Sequence, residues 1–349
     1  MKCFLHIGTE KTATTTIQKF FDTNRGNILK KGFIYTKSAG CTNNRALAVA
    51  AYNSNRRDDF TRDYGIYSDN DLRTFQQRTI ESLEEEVEAV KSDDAIIIFS
   101  SEHFQSRLTR LEEIERLREI ICSLGITDIA VIVYLRRPAD IANSMYSTVV
   151  KAGSCMEAPL SPKNDHWNNV CNHKNTIEKF SAAFGDDAII PRIFEKSEFV
   201  NGSIVEDIVH LIGIPDDQSY KIPDNANESL TVLGIKLLRH LNKSIPRYID
   251  DKPNPLRANL ALYIERHFSS GDKYIMPGYL YEEYEREFKD SNNWVKEKYF
   301  PERKNLFSTK IPDEANVNVS SDAETEVIAD FIANMWNDKQ GRILELRRR

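Results

Sequence analysis

Long apolar runs are missing from this chain of 349 residues: stretches such as 95–99 and 129–135 fall far short of the roughly 20 positions a membrane helix needs. The start, Met1-Lys2-Cys3-Phe4-Leu5-His6, has no basic opening, long apolar centre or small-residue cleavage site, so it does not read as a secretory signal. Cysteine is sparse and odd in number, with Cys3, Cys41, Cys122, Cys155 and Cys171 in no C-x-x-C spacing. That pattern argues against a zinc site or a disulfide framework and for a reducing compartment, with pairing of Cys155 and Cys171 left open. The expected location is cytoplasmic. Excess positive charge is missing too: the net charge is −6, which speaks against a general nucleic-acid binder but leaves room for a local basic pocket. No repeat period, low-complexity tract or Gly/Ser- or Pro-rich linker divides the sequence. Residues 1–349 are therefore expected to form a single domain, and nothing in them signals an oligomeric state.

What is present is an alternation of strand-like and helix-like segments. Residues 2–7 read as a first strand and 14–24 as a helix with Ile17, Phe20 and Phe21 on one face. Gly32–Tyr35 suits a short second strand, and 36–69 is polar with a helical stretch near 45–52, a candidate mobile loop beside a site. Residues 70–91 have helical periodicity; 95–99 and 129–135 are continuous apolar runs of the kind buried parallel strands show. Between the latter two lies an amphipathic helix over 111–124 closed by Gly125, and Pro138 suits the first turn of a helix reaching Lys151. Segments 176–184, 188–194 and 205–212 continue the pattern. The alternation implies an α/β fold, a P-loop-like parallel β-sheet with helices on both faces, over 1–215. After Pro215 the strands stop. Segments 229–241, 255–268, 279–299 and 323–346 read as helices, so 216–349 is expected to be a helical C-terminal cover of the same domain. The Glu-rich run 84–88 and the final Arg347-Arg348-Arg349 read as solvated face and tail.

The most informative stretch is Gly8-Thr9-Glu10-Lys11-Thr12-Ala13-Thr14-Thr15-Thr16, which leaves the first strand and enters the first helix. A glycine for the turn, a lysine and four threonines at a helix N-terminus are what cradling a phosphate requires. The helix end presents unsatisfied N–H groups and a partial positive charge. Lys11 adds a full charge, and Thr12, Thr14, Thr15 and Thr16 add hydroxyl donors. The competing reading is a strand–turn–helix whose threonines merely cap, with Thr15 and Gln18 as a capping box. The nucleotide-triphosphatase spacing G-x-x-x-x-G-K-[ST] is not met, since only Thr9 and Glu10 separate Gly8 from Lys11.

Two more stretches follow strands, where open α/β sheets place ligands. Ser100-Ser101-Glu102-His103 offers a carboxylate beside an imidazole, candidates for a general base or else a turn cap and a surface histidine. Tyr134-Leu135-Arg136-Arg137-Pro138 through Ser144 puts an arginine at a strand end and a hydroxyl about two helical turns on. Such a pair could grip a second phosphate from two sides. The alternative is a local ion pair of Arg136 or Arg137 with Asp140. His6 lies within the first strand and reads as a packed histidine.

These residues resemble the sulfotransferases that use 3′-phosphoadenosine-5′-phosphosulfate (PAPS). In that family a lysine followed by a small residue, a glycine and two threonines binds the 5′-phosphosulfate; Ala13 stands where glycine is usual. An arginine at a strand end and a serine eight residues later hold the 3′-phosphate, as Arg136 and Ser144 are spaced here. The segments around 191–213 and 290–307 are similar to later features of bacterial, carbohydrate-type members. The resemblance implies transfer of the sulfuryl group from PAPS to an acceptor hydroxyl, of a carbohydrate or glycolipid by family likeness. It implies release of 3′,5′-ADP, no metal, cofactor contacts from Gly8, Lys11, Thr12, Ala13, Thr14, Thr15, Thr16, Arg136 and Ser144, and catalysis by Lys11 with Glu102 or His103. The acceptor, a small molecule or glycan, is not specified by any residue. A nucleotide-dependent kinase and a non-catalytic adenine-nucleotide binder are the alternatives. The kinase would want the full glycine–lysine spacing and a carboxylate for Mg²⁺.

Overall fold

In strand-forming segments, successive side chains point to opposite sides, and here both sides are apolar. Cys3, Leu5, Ile97, Phe99, Val131, Val133 and Leu135 enter one buried cluster, while Phe4, Ile98, Ala130, Ile132 and Tyr134 enter another. A sheet apolar on both faces must be covered on both, which is the condition for a parallel α/β sheet. The computed structural model describes residues 1–90, 92, 94–223, 229–250 and 252–308, with scattered positions between 324 and 342. Strands β1 (Lys2–His6), β2 (Phe33–Tyr35), β3 (Ile96–Ser100), β4 (Asp128–Leu135) and β5 (Ile189–Ile193) form one sheet in the order β2-β3-β1-β4-β5. Every pairing is parallel.

Helices cover both faces. On one side α1 (Thr14–Thr23) contributes Ile17, Phe20 and Phe21; α11 (Ile204–Ile212) adds Val205, Ile208, Val209 and Ile212. The short α2 (Arg25–Leu29) joins them through Ile28. On the other side lie α3 (Arg45–Ala50), α5 (Asp69–Glu88), α7 (Leu111–Ser123) and α10 (His173–Phe184). Shorter helices α4 (Asp59–Asp63), α6 (His103–Arg107) and α9 (Asp165–Cys171) lie in the connections, and α8 (Pro138–Lys151) follows β4. The α/β architecture with flanking helices is thus the one the alternation implies. His6 is a packed side chain, fully buried beside Tyr134 and Ser100.

The chain divides into two compact units. The first, Met1–Ala142, Leu160–Ala226 and Glu282–Lys310, holds the sheet. The second, Asn143–Pro159, Asn227–Tyr281 and Ile311–Arg349, has its own core of Tyr146, Val150, Leu230, Ile235, Leu238, Ile264 and Phe268. It is built from the later part of α8, α12 (Val232–Ser244) and α13 (Leu260–His267). Two sequence expectations need correction there and beyond. Strands do not stop at Pro215: β6 (Tyr248–Ile249) and β7 (Lys252–Pro253) make an antiparallel hairpin, turning at Asp250 with φ 48°. Two-residue strands are too short for periodicity to reveal, and Asp tolerates the left-handed turn. The helix expected over 279–299 is two, α14 (Gly278–Glu287) and α15 (Lys289–Tyr299), separated at the buried Phe288. The helix expected over 323–346 and the Arg347–Arg349 tail lie largely outside the described residues. All five cysteines are free.

Candidate active site

The strand order reverses direction between β1 and β4, and ligands of open α/β sheets sit at the carboxyl ends beside such a switch point. Both loop candidates arise there. The β1–β4 ladder continues past β1: Thr9 N donates to the Tyr134 carbonyl at 3.0 Å and Tyr134 N to the Gly8 carbonyl at 2.7 Å. The Thr9 hydroxyl also donates to the Tyr134 carbonyl, at 3.2 Å. Beyond this anchor the backbone twists. Lys11 has φ 64° and Ala13 φ 56°, both left-handed, bracketing Thr12. Alternating handedness of this kind turns successive N–H groups to one side, forming an anion-sized concavity.

Helix α1 starts at Thr14 with Ala13 as its N-cap and no side-chain cap. The capping box of Thr15 and Gln18 is therefore absent, because Thr15 already lies inside the helix; the Gln18 Nε2 instead donates to Glu102 Oε2 at 2.8 Å. Thr16 N and Ile17 N bond the Ala13 carbonyl. The N–H groups of Thr12, Ala13, Thr14 and Thr15 have no acceptor among the described residues. Thr12 is fully buried and donates its hydroxyl proton to the Thr9 carbonyl at 2.6 Å, bracing the loop. Thr15 and Thr16 are half-buried, and Thr14 is buried.

Arg136 leaves β4 and donates through Nη1 to the Lys11 carbonyl at 2.6 Å, with its guanidinium 5.4 Å from the Phe194 ring centre. Its own carbonyl faces Nε2 of the fully buried His173 at 2.8 Å. A carbonyl only accepts, so Nε2 carries the proton; burial holds this imidazole down at about 4 despite that bond. Arg137 pairs instead with Glu285, Nε to Oε1 at 2.5 Å. The lysine and arginine that lie 125 positions apart in sequence thus share one hydrogen bond.

Glu102 sits just after β3 and directly beneath Gly8. A methyl on Gly8 would lie 3.0 Å from Glu102 Cα and 3.1 Å from its Cβ, and Gly8 has φ 106°. The Glu102 carboxylate accepts from Gln18 and, at 3.0 Å, from Asn43 Nδ2, both on Oε2. Oε1 faces His103 Nε2 at 3.7 Å, too far for a hydrogen bond. Burial works to raise the Glu102 carboxyl; His103, the Gln18 amide, its own backbone N–H and His6 outweigh it, and the group lies below the ordinary glutamate range. Burial also pushes the His103 imidazole below its ordinary range, against the pull of Glu102 and Glu10. An ionised carboxylate therefore stands beside a neutral imidazole at pH 7. His103 Nδ1 is buried without a partner among the described residues, and its ring meets Phe60 edge-on at 4.6 Å.

The segment 36–69, expected to be mobile, is pinned beside this cluster. Asn43 Oδ1 accepts from the Ser101 hydroxyl at 2.7 Å, and Asn44 Oδ1 accepts from Ser100 N at 2.7 Å. At the far side of the segment, Arg25 bonds the Cys41 carbonyl at 2.5 Å and Glu86 accepts the N–H groups of Lys37 and Ser38. Sequence reasoning passes over Asn43 and His173 and reads Gln18 only as part of a helix cap. The signal for Gln18 was its place one turn into α1; Asn43 and His173 are identified only by tertiary contact.

The first unit thus brings together Gly8 to Thr16, Glu102, His103 and Arg136. Ser144 is half-buried on α8 and belongs to the second unit. Among the described residues no group of three or more His, Cys, Asp or Glu could hold a metal ion, and no helix is long and apolar enough to cross a membrane.

No family model matches the chain. An uncharacterised protein of Archaeoglobus fulgidus is 27% identical over 152 residues, 43% of this chain and 39% of that protein, so the match spans well under half of that relative. Among solved structures, a sulfotransferase from Alicyclobacillus acidocaldarius aligns with a TM-score of 0.39 at 14% identity, over 70% of this chain and 93% of that one.

Proposed function

We propose that this chain is a PAPS-dependent sulfotransferase acting on an acceptor hydroxyl, with a carbohydrate or glycolipid as the acceptor class that its motifs resemble. The observation that carries the reading is the open set of four N–H groups from Thr12 to Thr15, with Lys11 and the Arg136 guanidinium tied to one another at its rim. Four unused donors at a helix N-terminus, with the Arg136 guanidinium on the Lys11 carbonyl beside them, suit a ligand with two separate phosphate-type groups. The N–H groups, Lys11 and the Thr14, Thr15 and Thr16 hydroxyls would hold the 5′-phosphosulfate; Arg136 would hold the 3′-phosphate and so reject ATP.

In the reaction the acceptor oxygen forms a bond to sulfur as the sulfur–oxygen bond to the 5′-phosphate breaks. The acceptor proton goes to Glu102, and 3′,5′-ADP leaves. Glu102 Oε2 already has two donors, so Oε1 is the oxygen with lone pairs to offer. General-base help of this kind is worth about 10²–10⁴-fold. Fixed donors facing the departing phosphate are worth about 3 kcal/mol each, because they need no reorganisation as charge moves.

The test combines ligands and variants. A thermal shift with 3′,5′-ADP that exceeds those with ADP and Mg·ATP is expected; a preference for Mg·ATP would favour a kinase instead. Release of 3′,5′-ADP from PAPS only when acceptor is present would separate an enzyme from a nucleotide-binding module. Lys11→Ala should lower turnover strongly, whereas Arg136→Ala should chiefly weaken donor binding. Unchanged donor affinity in Arg136→Ala would refute the 3′-phosphate role. Near-wild-type turnover in Glu102→Gln would pass the base role to His103.

A further inference from the structure

Away from the β1–α1 loop, the first unit contains a cavity of about 420 Å³ between the end of α3, the face of α5 and the start of α7. Ligand pockets begin at about this size. Three arginines line it, Arg73, Arg110 and Arg116, together with the polar run Asn53, Ser54 and Asn55; no aspartate or glutamate does. In a chain of net charge −6, three guanidinium groups around one cavity are a local reversal of sign.

Their hydrogen bonds show how much donor capacity remains. Arg116 spends Nη1 alone, on the carbonyls of Ala51 and Tyr52 at 3.1 and 2.8 Å and on Asn53 Oδ1 at 3.1 Å. Its Nε and Nη2 have no acceptor among the described residues, and neither do the exposed side chains of Arg73 and Arg110. The carbonyls at the end of α3, which would repel an anion, are covered by Arg116 and by Gln76, whose Nε2 donates to Ala50 and Tyr52 at 3.0 Å each. The neighbouring carboxylate, Glu113, is buried and bound to Arg56 at 3.0 and 3.1 Å. Asn53 turns its oxygen to Arg116, which leaves its amide N–H₂ as a further donor.

We propose that this cavity binds an oxyanion, the sulfate ester of a saccharide or the free ion, at a site separate from the loop at Lys11. Arginine forks hold the oxyanion, and the Asn53–Asn55 side chains meet the hydroxyls around it. The size of the cavity and its lack of carboxylates favour a ligand with one strongly charged group and a polar remainder.

Calorimetric titration with glucose 6-sulfate, sodium sulfate, glucose and sodium chloride at matched ionic strength tests this on three proteins. These are wild type, Lys11→Ala, and the double variant Arg73→Gln/Arg110→Gln. The two arginines are exposed and bond nothing within the described residues, so the double variant should melt with wild type. Saturable binding of glucose 6-sulfate is expected in wild type and in Lys11→Ala. In the double variant it should weaken by about tenfold per arginine, the usual scale for a hydrogen bond to a charged group. Sulfate binding as tightly as the ester would support the site and assign it to the free ion; tighter binding of the ester would assign it to a sulfated saccharide. Absence of saturable binding, retention of it in the double variant, loss of it in Lys11→Ala, or an equal response to chloride would each overturn the proposal. None of these readouts depends on sulfuryl transfer.

Discussion

Replacing Gly8 by alanine tests how tightly the loop and the candidate base are built against one another. Two costs are legible in the structure. The backbone at φ 106° disfavours any side chain, a strain of about 1–3 kcal/mol. The new methyl would press on backbone and side-chain carbon of Glu102 at 3.0 and 3.1 Å, and overpacking of a tight site costs about 1–3 kcal/mol more. Alanine recovers about 0.5–1 kcal/mol by restricting the unfolded chain, leaving a net loss of about 1–5.5 kcal/mol. An unfolding entropy of about 2.1 cal/mol/K per residue over the whole chain is roughly 0.7 kcal/mol/K, so Tm should fall by about 1.5–8 °C. Because the pressure falls on Glu102, the Gln18 and Asn43 bonds to its carboxylate should lengthen, and turnover should drop along with Tm. Differential scanning fluorimetry and a urea titration measure the first effect, and an acceptor-dependent 3′,5′-ADP release assay the second. A Gly8→Ala protein with Tm within 1 °C of wild type and unchanged turnover would refute the close packing of loop on base.

Ala13→Gly should act in the opposite sense. Ala13 is held at φ 56°, ψ 27°, where a Cβ costs about 1–2 kcal/mol, and glycine returns about 0.5–1 of that as unfolded-state entropy. A gain of up to about 1.5 kcal/mol, read as a higher urea midpoint at unchanged slope, is expected, and a lowered midpoint would contradict the left-handed cap. Gln18→Ala removes one of the influences that hold the Glu102 carboxyl below the ordinary range. The acid limb of turnover should therefore move to higher pH, and an unmoved limb would show that Glu102 does not govern it. His6 and His173 are both held down at about 4 by burial, against an ordinary 6.5. As pH falls the unfolded chain takes up these protons first, so stability is lost between about 6.5 and 4. Each histidine should contribute about 2 kcal/mol of loss from pH 7 to 5; equal urea stability at the two pH values would contradict their neutral burial.

Much of the sheet was legible because its strands are buried on both faces. Residues 95–99 and 129–135 are unbroken apolar runs, and their lengths with the intervening amphipathic helix leave a parallel sheet as the consistent reading. The helices that periodicity located are the long ones packed on the sheet, such as α5 and α7. The elements it missed are brief and polar. Helix α4 (Asp59–Asp63) rests on Phe60, whose ring lies 4.7 Å from the Arg45 guanidinium and 4.3 Å from that of Arg107, contacts between segments that no window of one segment reveals. The hairpin at Tyr248 and the break at Phe288 fail for the same reason: each is fixed by a single turn or a buried side chain, not by a repeated pattern.

The site divides along a similar line. Residues positioned by their own backbone or by a strand end could be placed in advance, because strand–loop–helix order alone puts them at the carboxyl edge of the sheet. Gly8, Lys11, Glu102 and Arg136 are of this kind. Residues that act by orienting another side chain could not. Asn43 has value only because the segment after β2 folds back over the end of β3, where its amide grips Glu102 and its oxygen takes the Ser101 hydroxyl. Gln18 looked like part of a helix cap because the same amide that would cap α1 is equally able to hold a carboxylate one loop away. Which of the two it does is decided by energy. A buried carboxylate without donors costs several kcal/mol, whereas a missing N-cap costs about 1, so the Gln18 side chain turns to Glu102.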